Sequence, residues 1–80
     1  MIMPSPTATT ASVAKVSEIS ARSTKSFEDA IQAGISRTGK TLRNVQSAWV
    51  KEMRVEVDDG RIVGFQVNMM VTFVLDEPRG

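Results

Sequence analysis

The chain has 80 residues, ten Lys and Arg against nine Asp and Glu, a formal net charge of +1, one Trp, and neither Cys nor His. That length allows one domain at most, and the missing Cys and His exclude disulfides, thiolate nucleophiles, imidazole bases and the commonest metal ligands. The near-balanced charge lacks the basic patch that duplex nucleic acid requires, so nucleic acid is not expected as a partner.

The first segment, residues 1–12, MIMPSPTATTAS, is uncharged and rich in Pro, Ser, Thr and Ala. It cannot bury enough surface to offset its ordering entropy, so it reads as a flexible tail. Residues 13–76 read as a single domain and 77–80 as a short C-terminal tail. No secretory signal pattern and no long apolar run is present, so a cytoplasmic protein with no membrane association is expected. A folded core of about 65 residues rarely supplies more than ~3–5 kcal/mol without staples or association. Self-association is therefore the expected source of further stability.

Val13 to Ser20, VAKVSEIS, is rich in β-branched residues and is followed by the turn-like Ala21-Arg22-Ser23-Thr24, which predicts a strand ending at Ser20. Ser26 is a suitable N-cap, with Glu28 and Asp29 placed to interact favourably with a helix dipole, so a helix should start at Phe27. Phe27, Ala30, Ile31, Gly34, Ile35, Thr38, Leu42 and Val45 recur at spacings of three and four and form one helical stripe. Gly34 lies on that stripe, where it permits close approach to a sheet. Asn44 is positioned to cap the C-terminal end.

Two long, mostly alternating segments, AWVKEMRVEVD and RIVGFQVNMMVTFVL, then meet at Asp59-Gly60, a dipeptide suited to the positive backbone angles of a tight hairpin turn. The later strand places Val63, Phe65, Val67, Met69, Val71, Phe73 and Leu75 on one face. Its other face holds Gln66, Asn68, Met70, Thr72 and Val74, too mixed for a plain core or a plain solvent surface. Two registers are compatible with the turn. A two-residue turn sets Asp58 opposite Arg61, Met53 opposite Gln66, Lys51 opposite Asn68 and Trp49 opposite Met70; a three-residue loop slips every pair by one, turns Trp49 toward the apolar row, and matches Met53, Val55 and Val57 better to Phe65 and Val63. A bulge between turn and Trp49 would reconcile the two. The reading adopted is that Trp49 faces away from the helix.

The order strand, helix, strand, strand predicts an α+β protomer in which one amphipathic helix covers one face of a three-stranded antiparallel sheet. Such a sheet keeps one face bare and its edges able to pair with other copies.

From about Val13 to Leu75 the chain resembles a dodecin. The likeness is carried by VAKVSEIS, SFEDAIQAGISRTGKTLRNV, AWVKEMRVEV and DGRIVGFQVNMMVTFVL. The resemblance implies a βαββ protomer whose sheet wraps around its helix, assembled into a hollow homododecamer. It also implies FMN or riboflavin bound at subunit interfaces for storage and photoprotection, with no catalytic turnover. In flavin-binding dodecins a Trp early in the second strand stacks on the flavin ring and a Gln in the third strand hydrogen-bonds its polar edge. Gln66 matches that Gln. Aligning KEMR places the family Trp at Ser47, two positions before Trp49, and Arg54 matches a basic residue that lies near ligand phosphates in some relatives. Positions 47 and 49 share a strand face, so Trp49 remains the stacking candidate along a displaced path.

Each candidate also has a plainer reading: a packing aromatic for Trp49, a cross-strand hydrogen bonder for Gln66, and solvated charges for Lys51, Arg54 and Arg61. Any of these cations could neutralise an FMN phosphate, and the sequence does not choose among them. Glu52, Glu56, Asp58 and Asp59 match no calcium-loop pattern, so no metal is expected. The alternative function is a self-assembling structural cage with weak or no flavin binding.

Overall fold

The computed structural model describes residues 11–75. The expected terminal tails, apart from Ala11 and Ser12, lie outside the described residues. Four elements follow in order: β1 (Ala14–Ser23), α1 (Phe27–Thr41), β2 (Val45–Asp58) and β3 (Arg61–Val74). The strands form one antiparallel sheet in the order β1-β3-β2, so the βαββ arrangement is as expected. The central place goes to β3, whose Val67, Met69 and Val71 are buried. A strand that is both hydrogen-bonded on two sides and covered on one face needs that apolar content.

Two boundaries differ from the sequence expectation. β1 continues three residues past Ser20, because Ala21, Arg22 and Ser23 find partners in Val67, Gln66 and Phe65 of the long β3. The turn begins at Ser23 itself, whose hydroxyl donates to Asp29 Oδ2 at 2.7 Å and accepts from the Lys25 N–H at 2.8 Å. The helix starts at Phe27 with Ser26 as N-cap, its Oγ accepting from the Asp29 N–H at 2.9 Å. It ends at Thr41. Leu42, expected on the helical stripe, has left helical geometry (φ −112°, ψ 135°), and Val45 already belongs to β2. Asn44 does not cap the helix; at φ 61° it occupies the left-handed region that Asn tolerates. There it ties the start of β2 to the end of β3, its side-chain N–H donating to the Val74 carbonyl at 3.2 Å and its own carbonyl accepting from the Val74 N–H at 3.0 Å.

The core is the contact of α1 with β1 and β3. Ala30, Val67 and Met69 are buried, and Ile19, Ala21, Phe27, Ile31 and Ile35 pack around them. Phe27 and Phe65 meet edge to face at a centroid distance of 5.1 Å, an arrangement favoured by the ring quadrupoles. Gly34 sits where the helix crosses the sheet: a Cβ there would lie 2.5 Å from Met69 Cε and 3.2 Å from Ala21 Cβ.

The hairpin turn has two residues, Asp59 at φ 51° and Gly60 at φ 76°, and pairs Asp58 with Arg61. Of the three irregularities in this pairing, the two between the turn and Trp49 act in opposite senses. Val57 pairs with Ile62 but Glu56 with Gly64, leaving Val63 as an extra residue on β3; Val50 pairs with Met69 but Glu52 with Asn68, leaving Lys51 extra on β2. Between them the register is slipped by one, so Met53 faces Val67 instead of Gln66, Glu52 replaces Lys51 opposite Asn68, and Arg54 faces Gln66. Beyond the second, Trp49 is opposite Met70, as the two-residue turn predicts. At ~3.3 Å per residue the strands of this hairpin reach roughly 46 Å, about twice the length of α1 at 1.5 Å per residue. The overhang leaves Met53, Val55, Val57, Ile62 and Val63 exposed. No described helix is long and apolar enough to cross a membrane.

Candidate functional site

Directly opposed residues in a sheet point to the same face. Ile19, Ala21, Val67 and Met69 pack with the helix, so their neighbours along each strand build the opposite, outer face. Its rows run across all three strands: Arg22, Gln66 and Arg54; then Ser20, Asn68 and Glu52; then Glu18, Met70 and Trp49. Trp49 therefore faces away from the helix, and its side chain is not sealed by its own chain: the residue is 52% exposed. Ser47, paired with Thr72, forms the row beyond it. All four candidate residues, Ser47, Trp49, Arg54 and Gln66, share this face.

The polar half of the face is cross-linked. Gln66 donates from Nε2 to Ser20 Oγ at 2.9 Å, and Asn68 donates from Nδ2 to Glu52 Oε1 at 2.9 Å. Asn68 Oδ1 is buried and has no partner among the described residues. Near the turn, Arg22 reaches over β3 to Glu56, with Nε at 2.8 and 2.9 Å from the two carboxylate oxygens and a terminal nitrogen at 2.6 Å. The passage exists because position 64 is Gly: a Cβ there would lie 2.5 Å from Glu56 Oε1 and 2.8 Å from the Arg22 guanidinium. Hydrogen bonding from Arg22 holds the Glu56 carboxyl below its ordinary range, and the same bond raises the Arg22 guanidinium further. Lys51 Nζ stands 3.5 Å from both Glu18 oxygens, and Arg54 stands 4.0 Å from Glu52 Oε1.

The aromatic half is different. Trp49 and Met70 lie side by side, an indole and a thioether with a flat apolar surface facing outward. Met70 lies four positions beyond Gln66 along β3, which is about 13 Å in an extended strand. The stacking surface and the Gln66 amide are thus two rows apart on one chain. A ring held by both must bridge the Asn68 row, or take one of the two groups from another copy. Among the described residues no group of three or more His, Cys, Asp or Glu side chains is placed to hold a metal ion.

Sequence reasoning missed the contribution of β1. Glu18, Ser20 and Arg22 alternate onto the outer face, and their i, i+2 spacing was available to show it, but ending the strand at Ser20 assigned Arg22 to a turn. It also missed Gly64 as the slot for the ion pair.

Comparison with known proteins agrees with this geometry. The family model described as Dodecin matches residues 13–76. A dodecin from Streptomyces davaonensis is 38% identical, with 82% of this chain and 97% of that chain covered at a TM-score of 0.78. A Thermus thermophilus protein is 35% identical, with coverages of 85% and 100% and a TM-score of 0.80. A calcium-chelating antigen of Mycobacterium tuberculosis, named calcium dodecin, is 27% identical, with coverages of 86% and 99% and a TM-score of 0.70. No curated protein sequence matches the chain.

Proposed function

The chain belongs to the dodecin family, and on that premise we propose that it is a non-enzymatic flavin-binding protein that holds FMN or riboflavin against Trp49 and Gln66 in a cytoplasmic homododecamer. The observation that carries this reading is the half-exposed indole beside Met70 on a sheet face that the helix leaves bare. An indole surface of this kind suits a planar, electron-poor tricycle. Gln66 commits an Nε2 hydrogen to Ser20 and retains its carbonyl oxygen and a second N–H, the donor and acceptor that a flavin imide edge requires. The two-row separation of Trp49 from Gln66 favours a site completed by a second copy. Assembly is supported by the overhanging apolar residues Met53, Val55, Val57, Ile62 and Val63, a surface monomeric proteins seldom leave in water. Storage and photoprotection follow from the chemistry: an aromatic stacked on an excited flavin quenches it by electron transfer.

The alternative of a structural cage without a flavin role is favoured by one observation, Ser47 at the position where the family resemblance expects the aromatic. The two readings separate in a single titration. Purified protein should be yellow, or should quench added riboflavin fluorescence in a saturable, stoichiometric way. Trp49→Ala should weaken that quenching at least tenfold while light scattering still reports the oligomer. A colourless oligomer that leaves riboflavin fluorescence unchanged refutes flavin binding and leaves the cage.

A further inference from the structure

We propose that the site prefers an uncharged flavin of the riboflavin class over one bearing a phosphate, an inference that rests on the flavin-binding reading above. It comes from the pairing of charges on the outer face. Arg22 and Arg54 are placed there by the strand registers, and Lys51, the extra residue of the β2 irregularity, reaches it through Glu18; each has a carboxylate beside it: Glu56 at 2.6 Å from Arg22, Glu18 at 3.5 Å from Lys51 and Glu52 at 4.0 Å from Arg54. Among the described residues of this face three cations meet three anions, and their charges balance.

A phosphate monoester near neutral pH brings a charge of about −1.5 to −2 and binds well where Arg or Lys groups are uncommitted or where a helix N-terminus points at it. On this face, among the described residues, neither condition is met. An anion approaching any of these three side chains comes within the same few ångströms of a carboxylate, well inside the ~8–10 Å over which salt screens. Attraction and repulsion then nearly cancel, so the phosphate loses hydration without a matching gain. The N-terminus of α1 offers no substitute, since it lies on the other side of the sheet, is capped by Ser26, and carries Glu28 and Asp29 in its first turn. Arg61, the third cation left open by the sequence, pairs opposite Asp58 at the turn, nine residues or roughly 30 Å from Met70 along β3.

Neutral polar groups are nevertheless available. Ser47 and Thr72 form the row next to Trp49 and Met70, and Ser20 lies beside Gln66. Hydroxyls both donate and accept, which matches the polyol chain of riboflavin and does little for a dianion. The face thus combines an aromatic seat, a neutral hydroxyl surround and cations already balanced.

The test is a fluorescence-quenching titration of the full chain in its native oligomeric state with riboflavin and with FMN, at two salt concentrations. Riboflavin should bind at least fivefold more tightly than FMN, with an affinity that barely changes with salt. Glu18→Gln and Glu52→Gln each leave one cation unbalanced, and each should lower the riboflavin-to-FMN preference by at least threefold; the ratio within each variant is the readout, so a general change in affinity does not confuse it. FMN binding as tightly as riboflavin to the unsubstituted chain, or a preference that neither substitution moves, overturns the inference and leaves flavin binding intact. Quenching by neither flavin removes the flavin reading and this preference with it.

Discussion

Replacing Gly34 by Ala tests whether helix and sheet meet as closely as the core requires. Taken alone, the substitution should stabilise α1, because Gly in a helix interior costs up to ~1 kcal/mol relative to Ala. At position 34 the new methyl would lie 2.5 Å from Met69 Cε, 3.2 Å from Ala21 Cβ and 3.3 Å from Ile19 Cδ1. The Met69 terminus is flexible, but the residue is 1% exposed, so its displaced methyl must repack among its neighbours; Ala21 Cβ is fixed to the β1 backbone and cannot swing aside. Overpacking of this kind costs about 1–3 kcal/mol, so the net effect should be a loss of roughly 0–2 kcal/mol. Gly39, five positions on in the same helix, has nothing within 4 Å of an added Cβ, so Gly39→Ala should keep the propensity gain. The propensity contribution is nearly common to both, so the gap between the variants reports the overpacking, about 1–3 kcal/mol or at least ~4 °C in Tm for a domain of this size. Thermal unfolding of both variants at one protein concentration, which association requires to be held fixed, gives the answer. If Gly34→Ala is as stable as Gly39→Ala, the close crossing of α1 over Met69 is wrong.

Ser26→Ala removes the side-chain acceptor for the Asp29 N–H and should cost about 1 kcal/mol in denaturant unfolding with an unchanged m-value. The Arg22–Glu56 pair gives a pH dependence of definite sign. Because the folded-state pKa of Glu56 is lowered from 4.5, its contribution is complete above the ordinary carboxylate range and is lost as pH falls through the lower folded value. Glu56→Gln should therefore lower stability at neutral pH, where the contribution is complete, and flatten the acid limb below about pH 4.5 so that the two profiles converge in acid; an unchanged acid limb would mean the pair is not formed in solution. Arg22, already charged throughout that range, adds no pH dependence of its own. Gly64→Ala should flatten the same limb, since its methyl would occupy the path of the pair, and a profile identical to the parent chain would show that Arg22 does not cross β3 there.

Much of this was legible in the chain because local signals agree with the fold. Ser26 with Glu28 and Asp29 marked the start of α1, the spacing from Phe27 to Thr38 marked its buried stripe, and Asp59-Gly60 marked a turn whose two positive φ angles the structure shows. These are short-range effects of capping, periodicity and backbone sterics, each contained within a few residues. Strand ends were less legible. Arg22 looked like part of a turn because its reason for being extended is a partner 44 positions away, Gln66.

The outer face is the clearest division between the two levels. Sequence alone determined which residues alternate with the apolar row of β3, and therefore that Gln66, Asn68 and Met70 look away from the helix. It left the partners of those residues open, because each register of the hairpin satisfied the turn equally well. Tertiary structure decided them through two compensating irregularities, at Val63 and at Lys51. The first lets the apolar residues Met53 and Val55 face Val67 and Phe65, and the second returns Trp49 to Met70 on the bare face. The physical reason is that a one-residue slip costs nothing at the turn itself but moves every side chain beyond it to the other side of the sheet, and only packing against the helix can register that difference.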